Sequence, residues 1–248
     1  MPETGSLQRP TKLRSRSRSV SALLHDKIEL VSQPLLDASR QFLTHPRIEA
    51  LYPEYLIALH CVVRSSVPVM RTALDRAEGM ADSDPVADGL IAYLEGHIEE
   101  ERGHDQWLVE DLERLGVSRA ALLERVPSPA VAALVGSQYY WILHYHPVAL
   151  LGYLTVAEGY PVAPSLIEDL IARTGYPRDA FRMLAEHAEL DPHHRDELDE
   201  LLDSLAITEN LETLLGLSAI STVGFMARCI EEVVDGAATA PTPAPTND

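Results

Sequence analysis

Glu186-His187-Ala188-Glu189-Leu190-Asp191-Pro192-His193-His194-Arg195 is the stretch on which the fold turns. Three of its side chains, His187, Asp191 and His194, read H-x3-D-x2-H, and offsets of four and seven place them on one helix face. Steps of three and four outward meet Ala180 and Leu184 on one side, Leu198, Leu201 and Leu205 on the other. This is an apolar face with a polar gap at its centre. An earlier window repeats the pattern, with Ala87, Ile91, Leu94 and Ile98 before Glu101 and Asp105, and Leu108, Leu112 and Leu115 after. His104 follows Glu101 by three residues. A third polar residue, Glu158, ends the apolar run Val148 to Ala157.

Carboxylates and imidazoles on buried faces are costly unless paired or bound to metal. Glu101, His104, Glu158, His187, Asp191 and His194 are therefore the expected metal ligands. Oxygen and nitrogen donors without thiolate suit iron, or manganese, better than structural zinc. Six ligands are too many for one ion with open positions, so two ions are expected, and helix bundles are a known host of such di-iron sites. His193 points about 100° away from His194 and is set aside as a ligand.

Apolar residues recur at three and four through most of the chain, without the alternation of strands. Helices are expected near 21–43, 47–77, 84–115, 129–145, 147–159, 163–174, 178–205 and 208–235, an all-α bundle of seven or eight helices. Asp84-Pro85 should open the third and Gly116 close it. Asp191-Pro192 is also a good start signal, so a kink or break is expected there, giving a segment more mobile than the Glu101 helix. One domain, 21–235, is expected between a disordered basic tail, 1–20, and a disordered Pro/Ala/Thr tail, 236–248.

Net charge is −18. Five basic residues and one acid stand in residues 1–20, against 15 basic and 37 acidic residues in the rest. An acidic body excludes a nucleic-acid or anionic-membrane surface as the expected role. No apolar run of membrane-spanning length is read, and the basic start lacks a signal-peptide core. Two cysteines, Cys61 and Cys229, do not make a disulfide framework, so a cytoplasmic setting is expected.

One E-x2-H, a lone Glu and H-x3-D-x2-H, in that order, resemble the heme-oxygenase-like di-iron oxidases and oxygenases over roughly residues 20 to 235. The resemblance implies the heme oxygenase fold without heme, with Glu101 and His104 on the first core helix, Glu158 on a later one, and His187, Asp191 and His194 on the third. The first Glu varies in position within the family, so His97 is a candidate to replace or support Glu101. Two Fe(II), the second weakly held, and dioxygen as co-substrate are implied. The implied reaction is oxidation of a small carboxylate-bearing substrate, an amino acid or fatty acid, by desaturation, C–C cleavage, hydroxylation or N-oxygenation in specialised metabolism. An external electron donor is implied, and a homodimer is compatible with it. Arg228 and Arg64, each in an apolar helix, are the candidates for holding the carboxylate. Two other classes compete: a cofactor-independent enzyme of the same fold, of thiaminase or pyrroloquinoline-quinone-synthase type, and a non-catalytic metal or heme carrier.

Overall fold

The computed structural model describes residues 18–160 and 162–239; most of the two expected disordered tails lies outside them. Among the described residues there are helices and no strands. The chain forms α1 (Val20–Val31), α2 (Gln33–Thr44), α3 (Ile48–Val63), α4 (Ser66–Glu78), α5 (Ala87–Glu100) and α6 (His104–Arg114). There follow α7 (Arg119–Glu124), α8 (Pro129–His144), α9 (Ala149–Ala157), α10 (Pro164–Thr174), α11 (Arg182–Ser204) and α12 (Glu209–Thr239), with a 3-10 turn at Arg178–Ala180. The helix number exceeds the sequence expectation because three expected helices each split in two. Pro34 restarts the chain after Ser32, and Pro68 sits in the first turn after the Arg64-Ser65 break. Gly103, at φ 92, divides α5 from α6. The short α7, started by the Ser118 hydroxyl accepting from Ala121 N–H, was not expected at all.

The break expected at Pro192 as one outcome does not occur. α11 runs unbroken through it, so the interruption falls in the Glu101 segment instead. Proline in a helix interior costs about 3 kcal/mol. The flanking apolar anchors Leu184 and Leu198 are both buried and fasten the helix on either side of it. α12 is described to Thr239, past the expected end at 235, where Ala237 and Ala238 favour helix. The membrane expectation also needs correction: Glu209–Gly236 is long and apolar enough to cross one. Its Leu214, Leu215, Ala219, Val223 and Ala227 are buried against the bundle.

Two apolar cores form. Leu24, Met70, Leu90, Leu94, Leu151 and Leu215 belong to the first, and Leu51, Tyr52, Leu56, Leu112, Leu170 and Phe181 to the second. α11 contributes Met183 and Leu184 to the second core and Leu198 and Leu202 to the first. Similarly, Leu90 to Ile98 of α5 join the first, while Leu108 and Leu112 of α6 join the second. The polar residues of both segments thus stand where one core gives way to the other.

The start of α11 is pinned from outside. Asp111 on α6, fully buried, accepts from Arg182 N–H at 3.1 Å and Met183 N–H at 3.0 Å. Tyr52 stacks on Phe181 at 4.5 Å and donates to the Ala180 carbonyl at 3.2 Å. Burial pushes the Asp111 carboxyl up to about 6, against the pull of the two N–H donors and Arg182. α9 is fixed by close approach. A Cβ on Gly152 would lie 2.5 Å from the Leu215 carbonyl oxygen and 3.0 Å from Ser218 Cβ, so α9 and α12 touch backbone to backbone.

Two tests follow from these contacts. Asp111→Ala leaves two helix-start N–H groups without an acceptor and should cost about 2 kcal/mol. Because the folded protein holds the Asp111 proton to higher pH than the unfolded chain, its share of stability is present at low pH and lost as pH rises toward about 6. Denaturant melts of the wild type and Asp111→Asn between those limits should therefore differ in slope. Gly152→Ala should lower stability by about 1–3 kcal/mol through overpacking, although alanine is the better helix former; an unchanged thermal midpoint would refute the close contact.

Candidate metal centre

Four chain segments deliver the polar side chains. His97 lies in the last turn of α5 and Glu101 is its C-cap. Gly103 then takes a left-handed conformation that side chains disfavour, and α6 opens on His104. Glu158 is the C-cap of α9. α11 carries His187, Asp191 and His194 on the face expected from their spacing. All are buried except His187, which is half-buried.

The side chains gather into two groups of three. In one, donor atoms of Glu101, His104 and His187 lie within 4.8 Å of one another; in the other, those of His97, Glu158 and His194 do. His104 Nδ1 is 3.2 Å from Glu101 Oε1, and the His104 and His187 rings meet edge to face at 5.0 Å. His97 Nε2 is 3.2 Å from Glu158 Oε1, and His194 Nδ1 is 3.7 Å from Glu158 Oε2. Asp191 belongs to neither group, although its carboxyl feels the charges of both Glu158 and Glu101. Five of the six expected residues thus fall into the two groups, with Asp191 on the same face of α11 between His187 and His194. His97 joins them in addition to Glu101, in the other group, and replaces nothing.

Electrostatics inside the cluster are unbalanced. Burial pushes Asp191 up to about 7, helped by the charges of Glu158 and Glu101. Burial would lower the His97 imidazole, but Glu158, Glu101 and Glu100 outweigh it and raise it to about 9. Burial lowers His187, whereas Glu101 is held below its ordinary range by surrounding imidazoles despite its own burial. His187 Nδ1 donates to the Met183 carbonyl at 3.1 Å, which leaves Nε2 with its lone pair free. Glu101 Oε1, His104 Nδ1, Glu158 Oε2, Asp191 Oδ1 and His194 Nδ1 are buried without a well-aligned hydrogen bond; the first two face each other as an ion pair, as do Glu158 Oε2 and His194 Nδ1.

Other expectations fare differently. His193 is exposed and pairs with Glu197 at 3.1 Å, in line with its place off the ligand face. Arg228 is exposed, and Arg64 caps α3. Neither lines the cleft of about 520 Å³ that reaches His97 between α5 and α11. That cleft is walled by Tyr93, Gly96, Glu100, Glu197 and Glu200 and carries no arginine. The charge pattern there is the reverse of the one the arginine candidates implied. Sequence reasoning missed Trp107, which stacks on His104 at 4.0 Å with the Arg182 guanidinium 4.9 Å from its ring centre. The i, i+3 spacing from His104 was its only signal. Glu100 is indistinguishable from its neighbour Glu99 in the sequence, yet its Oε2 reaches toward both His97 and His194.

Similar proteins agree with this architecture. No curated protein matches the sequence. A domain of unknown function with a heme oxygenase-like fold from Shewanella denitrificans is 20% identical, with 92% of this chain and 94% of that one covered at a TM-score of 0.69. A TenA homolog from Pseudomonas syringae pv. tomato is 15% identical over 93% and 100% of the two chains, TM-score 0.67. A CADD-like protein of unknown function from Nostoc punctiforme is 18% identical over 88% and 98%, TM-score 0.64. These likenesses show the heme oxygenase-like fold. Residues 54–219 match a family described as "Iron-containing redox enzyme", which is most of the chain. The protein thus belongs to the family of iron-containing redox enzymes with a heme oxygenase-like fold.

Proposed function

We propose that the protein is a non-heme di-iron, dioxygen-dependent oxidase or oxygenase acting on a small organic substrate. The observation that carries this reading is the set of five buried ligand-type atoms that lack a well-aligned hydrogen bond, two in each of the three-residue groups and one on Asp191. A buried polar atom without a well-formed hydrogen bond costs about 1–3 kcal/mol, more when charged. A cation between them would remove that cost. The donor chemistry fits iron: Glu101, His104 and His187 would hold one ion, His97, Glu158 and His194 the other, with Asp191 available to either. When bound, the two ions would supply the redox chemistry with dioxygen. Clustered carboxylates argue against the cofactor-independent alternative, since that chemistry has no use for them.

The protein's own contribution is placement and exclusion of water. Leu94 and Ile98 of α5 and Leu198 of α11, all buried, close the apolar core beside the cluster. The cleft leaves an approach along His97. Its three carboxylates match a substrate with a positive group, as the ammonium of an amino acid provides, better than a fatty acid's lone carboxylate. Desaturation, C–C cleavage, hydroxylation and N-oxygenation all remain within this chemistry. Reducing dioxygen to water takes more electrons than such a substrate supplies, so an external electron donor completes the reading.

Iron uptake tests the proposal directly. Glu158→Ala and His187→Ala should each lose at least one iron by elemental analysis while keeping the wild-type helical circular dichroism. Full iron content in both variants would refute the ligand assignment. An independent readout uses Trp107 and Trp141, the chain's two tryptophans. Anaerobic Fe(II) should strongly quench Trp107 emission in Trp141→Phe, because the indole lies against a ligand imidazole. The same titration of Trp107→Phe should show little change.

A further inference from the structure

We infer that Glu100 is a positioning residue that selects which nitrogen of His97 and which nitrogen of His194 faces the metal. This rests on the metal reading above and adds to it a residue outside the proposed ligand set. Both imidazoles are spanned by the same two carboxylates. His97 Nε2 lies 3.2 Å from Glu158 Oε1, while its Nδ1 lies 3.4 Å from Glu100 Oε2. His194 Nδ1 lies 3.7 Å from Glu158 Oε2, while its Nε2 lies 3.7 Å from Glu100 Oε2. A single oxygen of Glu100 thus faces the outer nitrogen of both rings, at hydrogen-bond distance from His97 and just beyond it from His194; the rings meet edge to face at 5.0 Å.

Exposure separates the two carboxylates. The Glu158 side chain is 12% exposed and has an oxygen without a well-aligned hydrogen bond, whereas the Glu100 side chain is 47% exposed, in the cleft wall. Glu158 is thus the enclosed carboxylate of the pair, and Glu100 keeps much of its hydration from the cleft. A neutral imidazole offers one lone pair, and the acceptor of its N–H decides which nitrogen offers it. With Glu100 Oε2 accepting from His97 Nδ1–H and, after closing a 3.7 Å gap, from His194 Nε2–H, the inner lone pairs fall on His97 Nε2 and His194 Nδ1. The two histidines thus bind through different nitrogens, a pattern neither ring would be required to adopt alone.

Zinc(II), being diamagnetic, reads this out in the full-length protein labelled with 15N at histidine. The spectrum should show N–H protons on His97 Nδ1 and His194 Nε2, with metal-bound signals from the other two nitrogens. Glu100→Leu should weaken zinc binding about 10–100-fold and lose that signature. Glu100→Gln keeps an acceptor oxygen in place and should restore much of both. Metal bound through His97 Nδ1, or wild-type affinity in a folded Glu100→Leu, would overturn the inference and leave the metal reading standing. Failure of the wild type to take up zinc or iron would overturn both. If Glu100→Leu does not fold, the wild-type nitrogen assignment decides alone.

Discussion

Charge enclosed between two apolar cores is the constraint around which this molecule is organised. A single continuous core could not hold three carboxylates and four imidazoles without expelling or neutralising them. Here the cores stop short of each other along α5–α6 and along α11, and the polar groups occupy the gap. Asp111 and the Tyr52–Phe181 stack hold the start of α11 on one side. Gly152 lets α9 lie close to α12 on the other. Each of these contacts sets the position of a helix that delivers at least one donor to the cluster.

The pattern of side chains was more legible than the path of the backbone. His187, Asp191 and His194 could be read because a helix repeats its faces at fixed offsets, and α11 keeps that repeat across Pro192. Glu158 stood out because nothing else charged interrupts its run. The break at Gly103 was hidden for the same reason that the site was visible. Apolar spacing continues in register on both sides of it, while a lone glycine in a helical pattern is no more than a weak signal. Asp111 was illegible in a different way: it caps a helix 71 residues away in the chain, and no local rule reports such a pairing.

Glu100 and Glu101 show how much depends on one step along a helix. Glu101 is buried at the end of α5 with an oxygen lacking a well-aligned hydrogen bond, and its neighbour stands half in solvent in the cleft wall. The rotation between successive residues gives two identical side chains opposite environments. The same step separates His193 from His194 on α11. An acidic run that looks uniform in sequence is thereby divided into a core-facing member and others with access to water.

Glu158 occupies the C-cap of α9, just beyond eight consecutive buried residues. A carboxylate at that end sits against the negative pole of the helix macrodipole, where it is disfavoured by about 0.3–1 kcal/mol in exposed settings and more when buried. The backbone of α9 thus adds its own partial negative charge to the polar gap, on a scale no side-chain substitution can remove. An anion entering from the cleft meets that field as well as the glutamates. A cation is drawn down it, so the peptide units of one short apolar helix help set the sign of charge that this interior admits.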